Sequence, residues 1–174
     1  ARLRVHQENA ALLAEAAHGK DAALTYEPAA LPDGTLAGAR PGSGNFDFVV
    51  KGRSAHAGRN PEEGRNAVVA AAELALRLSM SKTPGLSINP AKIEGGSPNN
   101  VVPDLAILRV NLRPRTTDDQ EIAARLIAKA LDETAAAHDV FIEAHGGFGR
   151  PPKPLTEEAE ALFNAGVPFE VVPG

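Results

Sequence analysis

The stretch GRSAHAGRNPEEGRNA, residues 52–67, links a predicted strand to a predicted helix and places one histidine, His56, between them. Asn60, Pro61 and Glu63 have the order of a helix N-cap, a proline at the first helical position and an acid three residues after the cap. This order predicts a helix that begins at Asn60 and ends near residue 81. Taken alone, His56 on a loop of small residues is typical of a solvated side chain.

The segments on both sides of this stretch alternate apolar and polar residues with the period of half-buried strands. Strands are predicted over residues 46–50, 85–96, 106–112 and 140–144, and a second helix follows a capping box at Thr117. Pro90 indicates that the second strand lies at a sheet edge. The order β-α-β-β-α-β predicts an α+β fold, a two-layer ferredoxin-like sandwich whose four-stranded antiparallel sheet carries two helices on one face. The other face of the sheet carries Arg109, Asn111 and Arg113, which indicates that it is exposed to solvent or faces a partner or a ligand.

The flanking segments predict a different domain context. The sequence predicts a strong helix over residues 8–18 that Gly19 ends and a short strand over residues 22–26, with Glu27 directly after that strand. This is one unit of an open α/β sheet, so residues 1–28 are interpreted as the remnant of a larger domain. Residues 29–44 are a connector, residues 45–146 the sandwich, and residues 147–174 a second connector with a remnant that opens a helix near Thr156.

Composition excludes several classes of function. The 174-residue chain has a formal net charge of −4 and 43% hydrophobic residues, which gives an aliphatic core and no basic surface for nucleic acid or anionic lipid. No apolar run is long enough to span a bilayer. The chain has no cysteine, which excludes disulfides and thiolate chemistry and fits a cytoplasmic location.

Single motifs do not identify the chemistry. The five histidines lack the spacing of a metal site, and neither Ser54 nor Ser97 has the strand–turn–helix context of a hydrolase nucleophile. Glu27 and His56 remain as acid–base candidates. Asn100, in Asn-Asn-Val-Val-Pro, and Arg113, in Asn-Leu-Arg-Pro, are by themselves a turn residue and a surface cation.

Taken together and in order, these motifs are more specific. Their order resembles the aminoacylase, succinyl-diaminopimelate desuccinylase and glutamate carboxypeptidase family of di-zinc metallopeptidases and amidohydrolases. The motifs that carry the resemblance are strand-Glu-Pro, Gly-Arg-Ser-Ala-His-Ala-Gly, Asn-Pro-Glu-x-Gly-x-Asn-Ala, Asn-Asn-Val-Val-Pro and Asn-Leu-Arg-Pro. The resemblance covers roughly residues 8–165. In that family a zinc-bearing catalytic domain is interrupted by a lid, or dimerisation, domain of the predicted β-α-β-β-α-β type.

The resemblance implies a role for each candidate. His56 would reach across a homodimer and stabilise the oxyanion of the neighbouring subunit's tetrahedral intermediate. Asn100 would contact the substrate, and Arg113 would pair with its carboxylate through a planar guanidinium. Glu27 would be the single zinc ligand in this chain. The parent enzyme would cleave an amide or N-acyl bond of an N-acyl amino acid or peptide, next to a carboxylate.

The remaining metal ligands and the general base of the family have no counterpart in this sequence. We therefore expect two zinc ions in the parent enzyme, none bound by this chain alone, and no activity of the chain by itself. One alternative is a stand-alone regulatory module that binds a small molecule, since this fold often does so. A nucleic-acid module is disfavoured, because the sheet lacks a pair of stacking aromatic residues and the net charge is negative.

Overall fold

The computed structural model describes residues 12, 14–15, 18–19, 36–37, 39–155, 157, 161 and 169–170. The chain divides into two compact units, Ala1–Thr35 and Leu36–Gly174. In the part that is described, no helix is both long and apolar enough to cross a membrane.

The first unit is described at only a few positions. Leu12, Ala14 and Glu15 are helical, and the backbone N–H of His18 donates to the carbonyl of Glu15 at 3.2 Å. Gly19 has a φ of 69°, the left-handed conformation that ends a helix, as the sequence predicts. The predicted strand over residues 22–26 and Glu27 lie outside the described residues.

The second unit contains the predicted sandwich. Its elements are β1 Leu36–Ala37, β2 Ser43–Lys51, α1 Ala67–Met80, β3 Leu86–Gly95, β4 Leu105–Pro114, α2 Thr117–His138, β5 Phe141–Arg150 and β6 Phe169–Glu170. β1 and β6 form a short parallel pair. The other four strands form one antiparallel sheet in the order β3-β4-β2-β5, which confirms the α+β two-layer fold and places β3 at an edge.

The core lies between this sheet and the two helices. Alternate residues of β2 and β4 are fully buried, and they face the apolar stripes of α1 and α2. The buried residues are Phe48, Val50, Ala106, Leu108, Val110 and Leu112 of β2 and β4, Leu86 and Ile88 of β3, Ala67, Ala70, Ala71, Leu74 and Leu78 of α1, and Ala123, Ile127 and Ala130 of α2. Since few aromatic residues contribute, aliphatic burial stabilises the domain.

The opposite sheet face is polar, as predicted, and carries ion pairs. Lys51 contacts Glu143 at 2.6 Å, and Arg109 contacts Glu94 at 3.0 Å. Hydrogen bonds from Lys92 and from Lys51 lower the pKa of Glu94 and of Glu143, respectively, so both carboxylates stay ionised at neutral pH.

The first helix does not begin where the sequence indicates. Residues 61–63 form a single 3₁₀ turn, and α1 begins at Ala67 with Asn66 as its N-cap. The Asn66 side chain accepts the backbone N–H groups of Val68 and Val69, both at 3.1 Å. The reason is tertiary: Arg65 is held extended by an antiparallel bridge to Arg53, which prevents the turn from continuing as a helix.

The second helix begins one residue earlier than the predicted capping box. Thr116 is the N-cap, its hydroxyl accepts the Asp119 N–H at 3.1 Å, and the Asp119 carboxylate accepts the Thr116 N–H at 3.0 Å. Because the Arg115 N–H donates to the Gly85 carbonyl, the chain is still held against β3 at residue 115 and turns only there. Thr117 is thus the first helical residue rather than the cap.

The last strand is longer than its alternation indicates. Residues 147–150, predicted as the start of a connector, continue β5 and pair with β2 as far as Ser43. Phe148 packs edge-to-face on Phe46, with ring centroids 5.3 Å apart, which gives this glycine-rich segment an apolar anchor. Gly146, at a φ of 94°, makes the close approach to β2 that a side chain would block.

An ion-pair cluster joins the two helices on their outer side. Glu73 of α1 accepts from His138 of α2 at 2.6 Å and from Arg77 at 2.7 Å, and Arg77 also contacts Glu133 of α2. The hydrogen bond from His138, followed by that from Arg77, lowers the pKa of Glu73 below its usual value. The carboxylate therefore stays ionised and links α1 to α2 at neutral pH.

Thr134 provides a test of the packing between α2 and the sheet. Its side chain is fully buried, and its hydroxyl oxygen has no hydrogen-bond partner among the described residues. Valine has nearly the same shape without the polar atom, so we expect Thr134→Val to raise the free energy of unfolding by about 1 kcal/mol in denaturant titrations. The exposed Thr117→Val is the control and should change it little. A loss of stability in Thr134→Val would show that the hydroxyl has a partner in solution.

Candidate functional site

His56 lies on an exposed loop directly after β2. The loop is fixed at its start, where the Gly52 N–H donates to the Asp104 carbonyl at 2.8 Å. The backbones of Arg53 and Arg65 also exchange N–H to carbonyl hydrogen bonds there. The carbonyl of His56 accepts the N–H groups of Arg59 and Asn60, each at 3.2 Å, which closes a tight turn behind the histidine. A small-residue turn thus holds the exposed imidazole on a braced backbone.

A hydrogen bond also determines the tautomer of the His56 ring. The Gly58 N–H donates to Nδ1 of His56 at 3.1 Å. A ring nitrogen that accepts carries no proton, so the proton of the neutral imidazole lies on Nε2. The ring therefore presents an N–H donor away from its own loop.

Asn100 lies beside this loop. The Ala57 N–H donates to the Asn100 carbonyl at 2.9 Å, and the Val102 N–H donates to the Ala55 carbonyl at 2.9 Å. His56 and Val101 thereby form an antiparallel bridge, which joins two loops separated by more than forty residues in sequence. Asn100 is itself exposed, so both side chains are presented at the same end of the sheet.

Arg113 lies at the other end of the same sheet. Lys51, the last residue before the His56 loop, pairs with Leu105, whereas Arg113 pairs with Ser87. At about 3.4 Å per residue, the eight steps of β4 from Leu105 to Arg113 span about 27 Å. The structure therefore brings His56 and Asn100 together and does not bring Arg113 to them.

Asn111 orients the half-buried Arg113. Its side-chain oxygen accepts Nε of Arg113 at 2.8 Å, while its amide nitrogen donates to the Gly44 carbonyl at 3.0 Å and to the Asn45 side chain at 2.8 Å. The two terminal nitrogens of Arg113 make no hydrogen bond within the described part of the chain. They remain available for bidentate pairing with a carboxylate.

A cavity of about 230 Å³ opens beside Arg113. Lys82, Thr83 and Gly85 of the α1–β3 turn, together with Ser87 and Arg115, line it. Three cationic side chains thus surround one small cavity, and they come from two segments that are distant in sequence.

The described residues do not build a metal site. In residues 39–155 and the shorter described segments, no group of three or more His, Asp or Glu side chains is arranged to hold a metal ion. Glu27, the proposed zinc ligand, lies outside the described residues, and its role stays a prediction.

Sequence reasoning missed Lys82 and Arg115 as functional candidates, and it placed Asn111 on the outer sheet face without giving it a role of its own. Asn111 carries a usable signal, because it lies two residues before Arg113 and strand alternation puts both on one face. Lys82 and Arg115 carry none, since only the pairing of β3 with β4 brings the two chain segments together.

Gly52 gives a direct test of how the His56 loop is held. A Cβ at this position would overlap the Arg65 carbonyl oxygen, so the Arg53–Arg65 bridge would have to open. We expect Gly52→Ala to lower the free energy of unfolding by about 2 kcal/mol and to shift the amide resonances of the His56 loop. Gly58→Ala is the matched control, because its Cβ would meet His56 only at an ordinary contact of 3.6 Å. Equal stability of the two variants would refute this account of the loop.

A comparison with protein families matches residues 38–139 to a family described as the peptidase dimerisation domain. Two relatives are each 35% identical over 101 residues: the indole-3-acetyl-aspartic acid hydrolase of Enterobacter agglomerans and one subunit of the p-aminobenzoyl-glutamate hydrolase of Escherichia coli. Each match covers 56% of this chain and 23% of the relative, so the chain spans about a quarter of the length of either relative.

The fold matches solved structures over a longer stretch. The crystal structure of an aminobenzoyl-glutamate utilization protein from Klebsiella pneumoniae has a TM-score of 0.64 and 25% identity. The match covers 83% of this chain and 38% of that protein.

Proposed function

The chain belongs to the M20 peptidase dimerisation domain family, and on that premise we propose that it is the lid of a zinc-dependent hydrolase. The reaction would be attack of water on an amide or N-acyl bond next to a free carboxylate. The names of its relatives support a hydrolase, and its span of about a quarter of their length supports a lid that works within a larger enzyme.

The observation that carries the proposal is the donor presented by His56. Attack of water on a carbonyl places negative charge on its oxygen, and an N–H donor held in position stabilises that charge. The Gly58 N–H bond leaves Nε2 of His56 as such a donor. Because the loop is braced before substrate arrives, little reorganisation is needed when the oxyanion forms.

The distance between the candidates supports two sites for each lid. Ser43, at the start of β2, pairs with Arg150, at the end of β5, and this pair lies at the same end of the sheet as Arg113. The Gly42 N–H donates to the Pro114 carbonyl at that end as well. We assign Arg113 to the catalytic site of its own subunit and the opposite end, with His56 and Asn100, to the partner's site. A homodimer then completes each site with residues from both lids.

The zinc pair does not fit the residues that the structure describes, because they hold no cluster of metal-binding side chains. We assign the metal ions to the catalytic part of the enzyme, with Glu27 as the ligand that this chain contributes. The lid residues act on the substrate carbonyl and carboxylate.

The dimer surface is assigned to the outer face of α1 and the adjoining edge of the sheet. Val69, Leu76 and Met80 lie on the side of α1 opposite to the core and are 51%, 64% and 84% exposed. α1 packs on β3 and β4, so this apolar stripe lies on the half of the domain that includes the free edge strand β3. Because the matched family is described as a dimerisation domain, we assign a second copy of this chain as the occupant of this surface.

The experiment for the proposed function uses the full-length protein that contains this chain. We expect it to release the amine product from N-acyl amino acids with a free carboxylate, to lose this activity on chelation and to regain it with zinc. N-acyl amino acid amides, which lack the carboxylate, are the control and should react far more slowly. Absence of hydrolysis with all N-acyl amino acids, or hydrolysis that survives complete metal removal, would refute the proposal.

A further inference from the structure

The cavity beside Arg113 differs from the rest of the outer sheet face in its charge balance. Elsewhere on this face, Lys51, Lys92 and Arg109 each pair with a carboxylate. In contrast, Lys82, Arg113 and Arg115 make no ion pair within the described part of the chain. Three cations that line one cavity without an acidic partner indicate that the compensating charge comes from a ligand.

One acidic group, Asp119, lies close to this cavity but makes no ion pair with its three cations within the described part of the chain, so positive charge remains in excess there. Asp119 lies behind Gly85, where an added Cβ would overlap its carboxylate. That carboxylate is held in the capping box, where it accepts both the N–H and the hydroxyl of Thr116, at 3.0 and 2.8 Å.

The geometry suits a ligand with two anionic groups. Arg113 is anchored through Nε, so its terminal nitrogens can take one carboxylate side by side. Lys82 and Arg115 are exposed and lie on the α1–β3 turn and just after β4, where they can reach a second group. At about 230 Å³, the cavity is smaller than the roughly 300–1,000 Å³ of sites for drug-sized molecules and matches a group of amino-acid size.

We propose that this cavity binds a dicarboxylate, with Arg113 holding the carboxylate next to the scissile bond and Lys82 and Arg115 holding the side-chain carboxylate. This inference rests on the proposed function and narrows its substrate to N-acylated acidic amino acids. The names of the two relatives, which contain aspartic acid and glutamate, agree with this class. Lys82 and Arg115 are then the residues that determine specificity.

The binding test uses the 174-residue chain and three probes. N-acetylglutamate carries both carboxylates, N-acetylglutamine has the same shape without the second charge, and inorganic phosphate is a small anion without the amino acid. We expect calorimetry to show about tenfold tighter binding of N-acetylglutamate than of N-acetylglutamine, as a hydrogen-bonded charge contributes. In NMR titrations the shifts should centre on the amides of Gly85, Ser87 and Arg113.

Variants then assign the preference to residues. Lys82→Gln and Arg115→Gln should each reduce the preference for N-acetylglutamate, and the double variant should abolish it. Lys129→Gln on α2, whose side chain is 71% exposed, is the matched control and should retain it. Equal affinity for the two amino acids, unchanged preference in the double variant, or phosphate binding as tight as N-acetylglutamate would each overturn the inference.

The full-length protein separates this inference from the proposed function. Dicarboxylate binding without hydrolysis by the metal-loaded protein would refute the function and leave the cavity assignment in place. Hydrolysis of N-acylglutamate and N-acylglutamine at equal kcat/KM would refute the cavity assignment and leave the function in place.

Discussion

Replacing His56 by alanine is expected to lower kcat of the proposed full-length hydrolase by about 10²–10³-fold, the usual effect of removing one oxyanion donor. KM should change little, because the donor acts on charge that develops only in the transition state. The measurement is steady-state kinetics on an N-acyl amino acid, with zinc content and oligomeric state determined on the same samples.

The control for this variant is His145→Ala. His145 is an exposed histidine of β5, its side chain 60% exposed, and it contacts Glu143 on the outer sheet face. Its removal takes an exposed imidazole from the surface, as the His56 variant does, yet it should leave kcat unaltered. Wild-type turnover in His56→Ala, or a loss that matches a loss of zinc, would refute the oxyanion role.

Replacing Leu76 by glutamate is expected to convert the proposed homodimer into a monomer. The side chain lies on the exposed stripe of α1, so the charge leaves the core intact and is placed in the proposed interface. In a two-fold symmetric dimer, each subunit places one copy of the glutamate in the interface. Two buried like charges should raise the dissociation constant of the dimer by about 100-fold or more. Sedimentation equilibrium of the 174-residue chain measures this directly.

The opposite edge of the sheet supplies the matched control. Phe141 of β5 is 62% exposed, nearly as much as Leu76 at 64%, but lies at the edge away from β3. Phe141→Glu should therefore sediment as wild type does. A monomeric Phe141→Glu combined with a dimeric Leu76→Glu would place the interface at the β5 edge and contradict the proposal. Two dimeric variants would exclude both surfaces.

The local pattern of apolar and polar residues was sufficient to predict the strands and the two-layer sandwich. Apolar and polar residues alternate along β2 and β4, so this two-residue period alone predicts which side chains are buried. The helix starts were wrong because they depend on distant contacts: the Arg53–Arg65 bridge delays α1, and the Arg115–Gly85 bond keeps the cap of α2 at Thr116.

The candidate site shows the same division. The resemblance to a hydrolase family predicted His56, Asn100 and Arg113 as site residues. It did not reveal that the first two lie on bridged loops and the third at the far end of β4, because strand order and register determine that separation. The cationic cavity was missed for the same reason, since Lys82 and Arg115 meet only when β3 pairs with β4.

The most direct test of the account mixes two impaired variants of the full-length enzyme, His56→Ala and Arg113→Ala. If one lid serves two sites, the mixed dimer has one site with Arg113 from its own subunit and His56 from the partner. Co-expression in equal amounts should then restore about a quarter of wild-type turnover, as half the dimers carry one intact site of two. Activity no higher than the mean of the two variants would contradict the account.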